Sequence, residues 1–432
     1  MTKFYVPLLF QAFSQSLTYP LVAGIVTHGE HGVNALTAFS QGLMIMFMIG
    51  AIGGGLVTTG MVFARTWFGY VSFRRLNTLM MSALLVLQCV PAISPFDRWL
   101  FEGFFALSPE LARIARLTLV GGVVMNALFF LRNVPMVVLF NNYESGKANV
   151  ATVVRIVVTL VLAVVLPRCG LAGPFWGLLA LTVGVAVETF ITYAYARPHV
   201  AALPNCTAPR ASMAREAHPS VFALTWEQFR FTMPLSLGGF LLMLSPLIIA
   251  AFVGRSANAA DMLAIHYVTL GVANPVGYAA LRMQTVAIQF PAEYPGDRRL
   301  LGYAVAAGMV LGLIPLAFST GLLGSWYFGV YQNVPPRIVD TARLAIGIYS
   351  FISVIHAVRG RVEGIAAFRK NPQTIMFGQI AYTTGLFLAC ALLLPLGLPG
   401  WAIAVSAIFV APICTTLAIY WRLDFKLKRK RG

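Results

Sequence analysis

The sequence predicts an all-α integral membrane protein of twelve transmembrane helices, laid out as two parallel six-helix repeats. Three observations predict this. First, hydrophobic residues make up 59% of the 432 and charged residues only 10%, with a mean hydropathy of +0.79, whereas a soluble domain carries about 25% charged residues. Second, apolar stretches long enough to cross the hydrocarbon core, about 20 residues each, recur along the whole chain. Third, the two halves repeat at a constant offset of 227 residues. FYVPL at 4–8 matches FTMPL at 231–235, and CGLAG at 169–173 matches LGLPG at 396–400. Between these anchors Arg116 meets Arg343 and Arg132 meets Arg359 at the same offset.

In chain order, the first lobe (1–196) holds apolar segments at 4–27, 33–63, 74–93, 115–140, 149–167 and 171–196. A polar linker at 197–225 follows. The second lobe (226–421) holds segments at 229–252, 261–288, 300–326, 341–367, 374–395 and 399–421, and a basic tail occupies 422–432. Gly, Pro and Asn punctuate most of these boundaries. Segment length and the lack of strict alternation argue against a β-barrel. The first segment starts at once and no small-residue cleavage site follows it, so it reads as a retained helix rather than a signal peptide. Six helices per half give both halves one orientation, with the symmetry axis along the membrane normal, as in transporters built from parallel repeats. Such duplication points to a transporter that exposes a site between its halves to each side in turn. A non-transporting membrane scaffold is the rival of another class.

The formal charge of +17 is spread asymmetrically. With both termini placed inside, 22 Lys and Arg lie on the inner side and 7 on the outer. This positive-inside bias predicts a multi-pass protein of the cytoplasmic (inner) membrane with both termini cytoplasmic, and it speaks against a nucleic-acid partner. The tail RLDFKLKRKRG then attracts anionic lipid headgroups. The five cysteines show no CxxC or His-linked spacing, so neither a disulfide framework nor a metal site is expected. No phosphate-binding loop, dinucleotide fingerprint or nucleophile elbow occurs. The chain is therefore read as a non-enzyme without a cofactor, and a monomer is expected.

Arginines inside the apolar segments are the candidates for function. Arg132 lies 16 residues past Arg116, roughly 24 Å along a helix, deep but inner-leaning. It is either a snorkelling anchor or part of an anion site, and its repeat mate Arg359 at the same depth favours the site. His356, Arg359 and Glu363 share one helical face, so Glu363 pairs with Arg359. The position equivalent to Glu363 is Met136, which makes Arg132 the freer cation. Pro135 is expected to kink that helix, and Arg361 to meet headgroups. Arg155 and Glu188, at matched depths in consecutive helices, read as a structural ion pair, with a proton-coupling role for Glu188 left open. Gln11, Ser14, Gln15 and Thr18 form a polar stripe that either bonds other helices or lines a cavity, as does Asn126. Asn274-Pro275 is expected to break its helix locally and to free backbone groups beside a cavity. Guanidinium favours carboxylate and phosphate, so the substrate is expected to be a small anion held by Arg132 and Arg359. His356 and Glu363 would modulate Arg359, and Gln11, Gln15, Asn126 and Asn274 would add hydrogen bonds.

The Pro-Leu near the start of both repeats and the G-L-x-G turn before each sixth helix resemble the multidrug/oligosaccharidyl-lipid/polysaccharide exporter superfamily. Within it, the second half is similar to the progressive-ankylosis family through FTMPLSL (231–237), NPVGY (274–278), QFPAEY (289–294), VRGRVEG (358–364) and LLPLGLPGWAIAV (393–405). The resemblance implies a multidrug-exporter-like fold and export of small polyanions such as citrate, malate, pyrophosphate or nucleotides. Arg359 matches the family's arginine. The animal members carry charged residues in helix 1, where this chain has Gln, Ser and Thr. A flippase for a lipid-linked anionic saccharide precursor is the alternative within transport.

Overall fold

The computed structural model describes residues 1–432 except 31, 94–95, 106, 205–220, 292–296, 333 and 432. Within helices, the side chains of 15–17, 19–20, 33, 91–93, 104, 260, 331 and 424–431 also lie outside the described residues. Among the described residues, twelve long helices follow the predicted segments. The first six are α1 (Thr2–Thr27), α2 (Asn34–Phe63, with a turn at 52–54), α3 (Trp67–Ile93), α4 (Pro109–Asn141), α5 (Ser145–Arg168) and α6 (Pro174–Ala201). The second six are α7 (Val221–Val253, with a turn at 244), α8 (Ala259–Leu281, resuming as Met283–Gln289), α9 (Arg298–Ser319), α10 (Pro336–Phe368, with a turn at 350–351), α11 (Pro372–Leu393) and α12 (Gly400–Arg431). Among the described residues, nine helices are long and apolar enough to cross a membrane.

The offset of 227 is written into the turns. Pro109 and Pro336 open α4 and α10 at the first helical position, where a missing N–H costs nothing. π-Helical turns at Trp99–Phe104 and Ser325–Tyr331 lead into them. Tyr143 and Lys370 take left-handed φ values of 60° and 53°, and Gly170 and Gly397 take 72° and 68°. A left-handed residue stops a helix by turning its last carbonyls back.

Two expectations are corrected here. The ninth segment ends at Ser319 rather than 326, because Thr320 leaves the helix and the π-helical turn follows. Asn274-Pro275 does not break α8, which runs through Pro275 and turns only at Arg282. A proline deletes one backbone hydrogen bond, and neighbouring helices in a membrane protein accommodate that loss. α4 is likewise unbroken at Pro135.

The chain divides into two compact units, Ser14–Ser236 and Met1–Phe13 with Leu237–Gly432. Both cuts fall inside helices, α1 and α7. In the first unit, the start of α7 is tied down by the Thr59–Thr232 hydroxyl pair (2.7 Å) and by Gln228 Nε2 donating to Gly69 O (3.2 Å). In the second, the Tyr5 hydroxyl donates to Ala279 O at 3.2 Å and anchors the start of α1. Small residues let helices close together there, as in membrane bundles generally. A Cβ on Gly360 would stand 2.9 Å from Leu281 O, and one on Gly364 would stand 2.5 Å from Gln284 O and 2.6 Å from Ala287 Cβ. α10 therefore seats against the turn in α8.

Candidate functional site

In the unit Ser14–Ser236, four helices converge on one buried ion cluster. α5 presents Thr152 and Arg155 three residues apart, on a single face. α6 presents Glu188 one turn after Gly184. A Cβ on Gly184 would stand 2.5 Å from Thr159 Oγ1 and 3.1 Å from Arg155 Cγ, so glycine is what lets α5 approach. α4 presents Arg132 and α1 presents Thr18. Glu188 Oε2 accepts from Arg132 Nη1 at 2.6 Å and from Arg155 Nη1 at 3.0 Å. Its Oε1 accepts from the Thr152 hydroxyl at 2.6 Å, and Arg155 Nη2 donates to Thr18 Oγ1 at 3.3 Å. The Thr192 hydroxyl caps the Glu188 backbone carbonyl. The Arg132 guanidinium also lies over the Phe129 ring, 5.0 Å from its centroid. The side chains of Arg132, Glu188 and Arg155 are 9%, 0% and 4% exposed. The Nε atoms of both arginines lack a hydrogen-bond partner. Two guanidiniums thus share one carboxylate, and the cluster carries a net charge of +1.

The other unit contains the repeat-related cluster with a different charge. Arg359 Nε donates to Glu363 Oε1 at 2.8 Å and Nη2 to Gln379 Oε1 at 2.9 Å, while Gln379 Nε2 returns a bond to Glu363 Oε1 at 2.9 Å. The guanidinium stacks over Tyr382, 4.8 Å from the ring centroid. At the offset of 227, Arg359 replaces Arg132, His356 replaces Phe129, Gln379 replaces Thr152, Tyr382 replaces Arg155 and Ser245 replaces Thr18. The acid alone comes from elsewhere: α6 supplies it in one unit and α10 in the other, with Thr415 and Met136 at the equivalent positions. One arginine faces one glutamate, so this cluster is neutral.

Arg132 is therefore not the freer cation that its own helix suggests. Its acid lies 56 residues away on α6, beyond any rule of spacing within one helix. Arg155 and Glu188 stand together as an ion pair, with Arg132 as a third member. Asn126 donates to Gln88 Oε1 (2.7 Å) and to Met46 O (3.2 Å), and Gln88 in turn donates to Leu119 O (2.7 Å), a closed amide network that binds α2, α3 and α4. Gln11 is buried and Asn274 is exposed. The Gln15 side chain lies outside the described residues. Arg361 does not reach out to headgroups: it is buried and donates to Asp297 O at 3.3 Å. Thr152, Gln379 and Phe129 escape the sequence reading, although the offset that pairs Arg132 with Arg359 also pairs Thr152 with Gln379.

A third cluster lies in the turn between α4 and α5. Glu144 accepts from Lys147 Nζ at 2.8 Å and pairs with His199 Nε2 at 2.8 Å. Partial burial pushes the Glu144 carboxyl up, but the hydrogen bonds and charges of Lys147 and His199 overcome this and hold it below the usual carboxylate range.

No protein-family model and no curated protein matches the chain. Solved structures do match, over nearly the whole length. A MOP superfamily transporter from Pyrococcus furiosus, described as having a binding pocket of reverse polarity, superimposes with a TM-score of 0.71 at 17% identity, covering 98% of this chain and 95% of that one. The MATE structure in complex with MaD3S gives 0.72 at 16% identity (99% and 96% covered), and the eukaryotic MATE transporter AtDTX14 gives 0.70 at 15% (98% and 94%). Coverage of at least 94% of both chains at this similarity leaves one conclusion about architecture: this chain has the fold of the MATE transporters of the MOP superfamily.

Proposed function

We propose that the protein is an alternating-access exporter of small organic or phosphate-type polyanions, of the citrate, malate, pyrophosphate and nucleotide class. The observation that carries the reading is the buried pair Arg132–Arg155 sharing a single carboxylate. A carboxylate or phosphate on the substrate presents, as the Glu188 group does, a pair of anionic oxygens that an arginine fork can hold. Glu188 acts as the resident counter-ion, and an incoming anion competes with it for the two guanidiniums. A buried charge without a full partner costs several kcal/mol, so two guanidiniums on one carboxylate favour a second negative group beside them. Arg359, closed off by Glu363, Gln379 and Tyr382, is the neutral counterpart, with His356 beside it. Asn126, in the same unit as the arginine pair, is occupied with helix packing. The transporter fold and the progressive-ankylosis-like stretches of the second half support export and the substrate class. The reverse polarity described for the P. furiosus neighbour fits a fold that hosts pockets of different charge.

The test is uptake of labelled citrate, malate and pyrophosphate into proteoliposomes. Arg132→Ala and Arg155→Ala are expected to lower transport at least tenfold, the loss of about 1.4 kcal/mol or more of binding. Arg359→Ala is expected to act mainly through stability. If both first-unit variants match wild type on an anion that wild type carries, the reading fails. Movement of a lipid-linked diphosphate in place of all three soluble anions would establish the flippase instead.

A further inference from the structure

Away from the buried arginines, the unit Ser14–Ser236 carries an apolar groove of about 320 Å³ between α3 and the first turns of α7. Along α3, Arg75, Leu79 and Ala83 lie four residues apart on one helical face. From Arg75 to Ala83 the groove therefore runs roughly 12 Å along the helix. Phe222, Trp226 and Phe229 form the opposite wall, with Trp226 and Phe229 stacked at 5.3 Å. Leu79, Phe222 and Trp226 are all more than half exposed. The hydroxyl that reaches this wall, on Thr225, is spent on Val221 O at 2.7 Å, so the walls beyond Arg75 present hydrocarbon.

The charge lies at one end. The Arg75 guanidinium rests 5.9 Å from the centre of the Phe222 ring, and no carboxylate pairs with it among the described residues. Arg74 adjoins it, and Arg65 lies in the preceding turn, so this mouth of the groove is basic. A strip of hydrocarbon surface that begins at an unpaired guanidinium, beside an exposed Trp, matches the interface layout of a membrane protein. Its complement is a molecule with a negative head and an alkyl chain. A free anion would leave the apolar strip uncovered, and a neutral lipid would leave Arg75 without a counter-charge. We propose that the groove binds one acyl chain of an anionic phospholipid whose phosphate rests on Arg75. The site does not depend on the transport reading.

The full-length protein, reconstituted in vesicles of phosphatidylglycerol and phosphatidylcholine at one to three, is extracted into detergent and its retained lipid is counted by native mass spectrometry. Wild type is expected to keep one phosphatidylglycerol more than either Arg75→Ala, which removes the head contact, or Ala83→Phe, which fills the far end. Arg75 is exposed, so its variant tests the site without disturbing packing. Inorganic phosphate in excess is expected not to displace the lipid, because the chain and not the phosphate alone fills the groove. Equal retention in wild type and both variants overturns the proposal. So does equal retention of phosphatidylcholine at the same site, displacement by inorganic phosphate, or loss in Arg75→Ala with none in Ala83→Phe. Retention of a second copy of the chain in place of lipid also overturns it.

Discussion

At Glu188 two guanidiniums and a hydroxyl converge on a fully buried carboxylate, so its charge supports more than any neighbour does. Glu188→Gln keeps the shape and leaves two buried cations facing each other. Removing one member of a buried pair costs about 3–5 kcal/mol, and the full amount is expected here. Thr152→Val removes one hydrogen bond to a charged group, about 1.5–3 kcal/mol. Thermal unfolding of the solubilised protein should rank the variants in that order; a Glu188→Gln protein as stable as wild type would mean that the carboxylate is not carrying the cluster. Glu144 gives a pH prediction of definite sign. Its carboxyl is held below the ordinary 4.5, so its stabilisation is complete above that value and is lost as pH falls through the depressed one. As pH falls from above 4.5 through the depressed value, the wild-type unfolding midpoint is expected to drop further than that of Glu144→Gln. Parallel curves would remove Glu144 from the acid response. At this scale the sequence is a partial guide. The Arg359–Glu363 pair is legible because both residues lie on one helix, four apart. The Arg132–Glu188 pair is not, because the acid arrives from α6 through packing, and the repeat offset points instead at Met136.

Helices were the most legible level, because twenty apolar residues in a row have few alternatives and proline, glycine and asparagine close them. What the pattern could not supply is how each helix meets the next. Pro275 reads as a break yet sits in continuous helix, while the turn falls at Arg282, opposite Gly360 of α10. That seat is testable through glycines of opposite surroundings. Gly364→Ala improves helix propensity by up to about 1 kcal/mol, but its Cβ would meet Gln284 O and Ala287 Cβ, and overpacking costs about 1–3 kcal/mol. The net effect is expected to be destabilising. Gly302 in α9 has nothing within 4 Å of such a Cβ, so Gly302→Ala is expected to stabilise by up to about 1 kcal/mol. Unfolding midpoints that move in the same direction for both would contradict the packing described for α8 and α10.

Over the whole molecule, the 227-residue repeat is visible in the sequence at four anchors, and in the structure it extends to prolines, π-helical turns and left-handed residues. The repeat leaves the acid of each cluster free to vary, and there the two halves have diverged most. If the side richer in basic residues is the cytoplasmic one, the turn after α5 is expected on the outer face of the membrane. Cys169 lies in that turn and is exposed. A membrane-impermeant maleimide is therefore expected to label Cys169 in intact cells and to lose most of its signal in Cys169→Ser. Labelling that appears only after the membrane is opened would invert the orientation.

The unequal charges of the two clusters have an electrical consequence. A fixed charge that changes its access from one side of a membrane to the other senses the potential, about 2.3 kcal/mol per elementary charge for each 100 mV if it crosses the full field. If the proposed anion binds there, the cluster around Glu188, +1 by itself, would carry 0 with a monoanion and −1 with a dianion. Membrane voltage would then speed one half of the cycle and slow the other, in a sense set by the valence of the cargo, whereas the neutral Arg359 cluster would leave no trace in the current. Neutralising Arg155 should shift that valence by one.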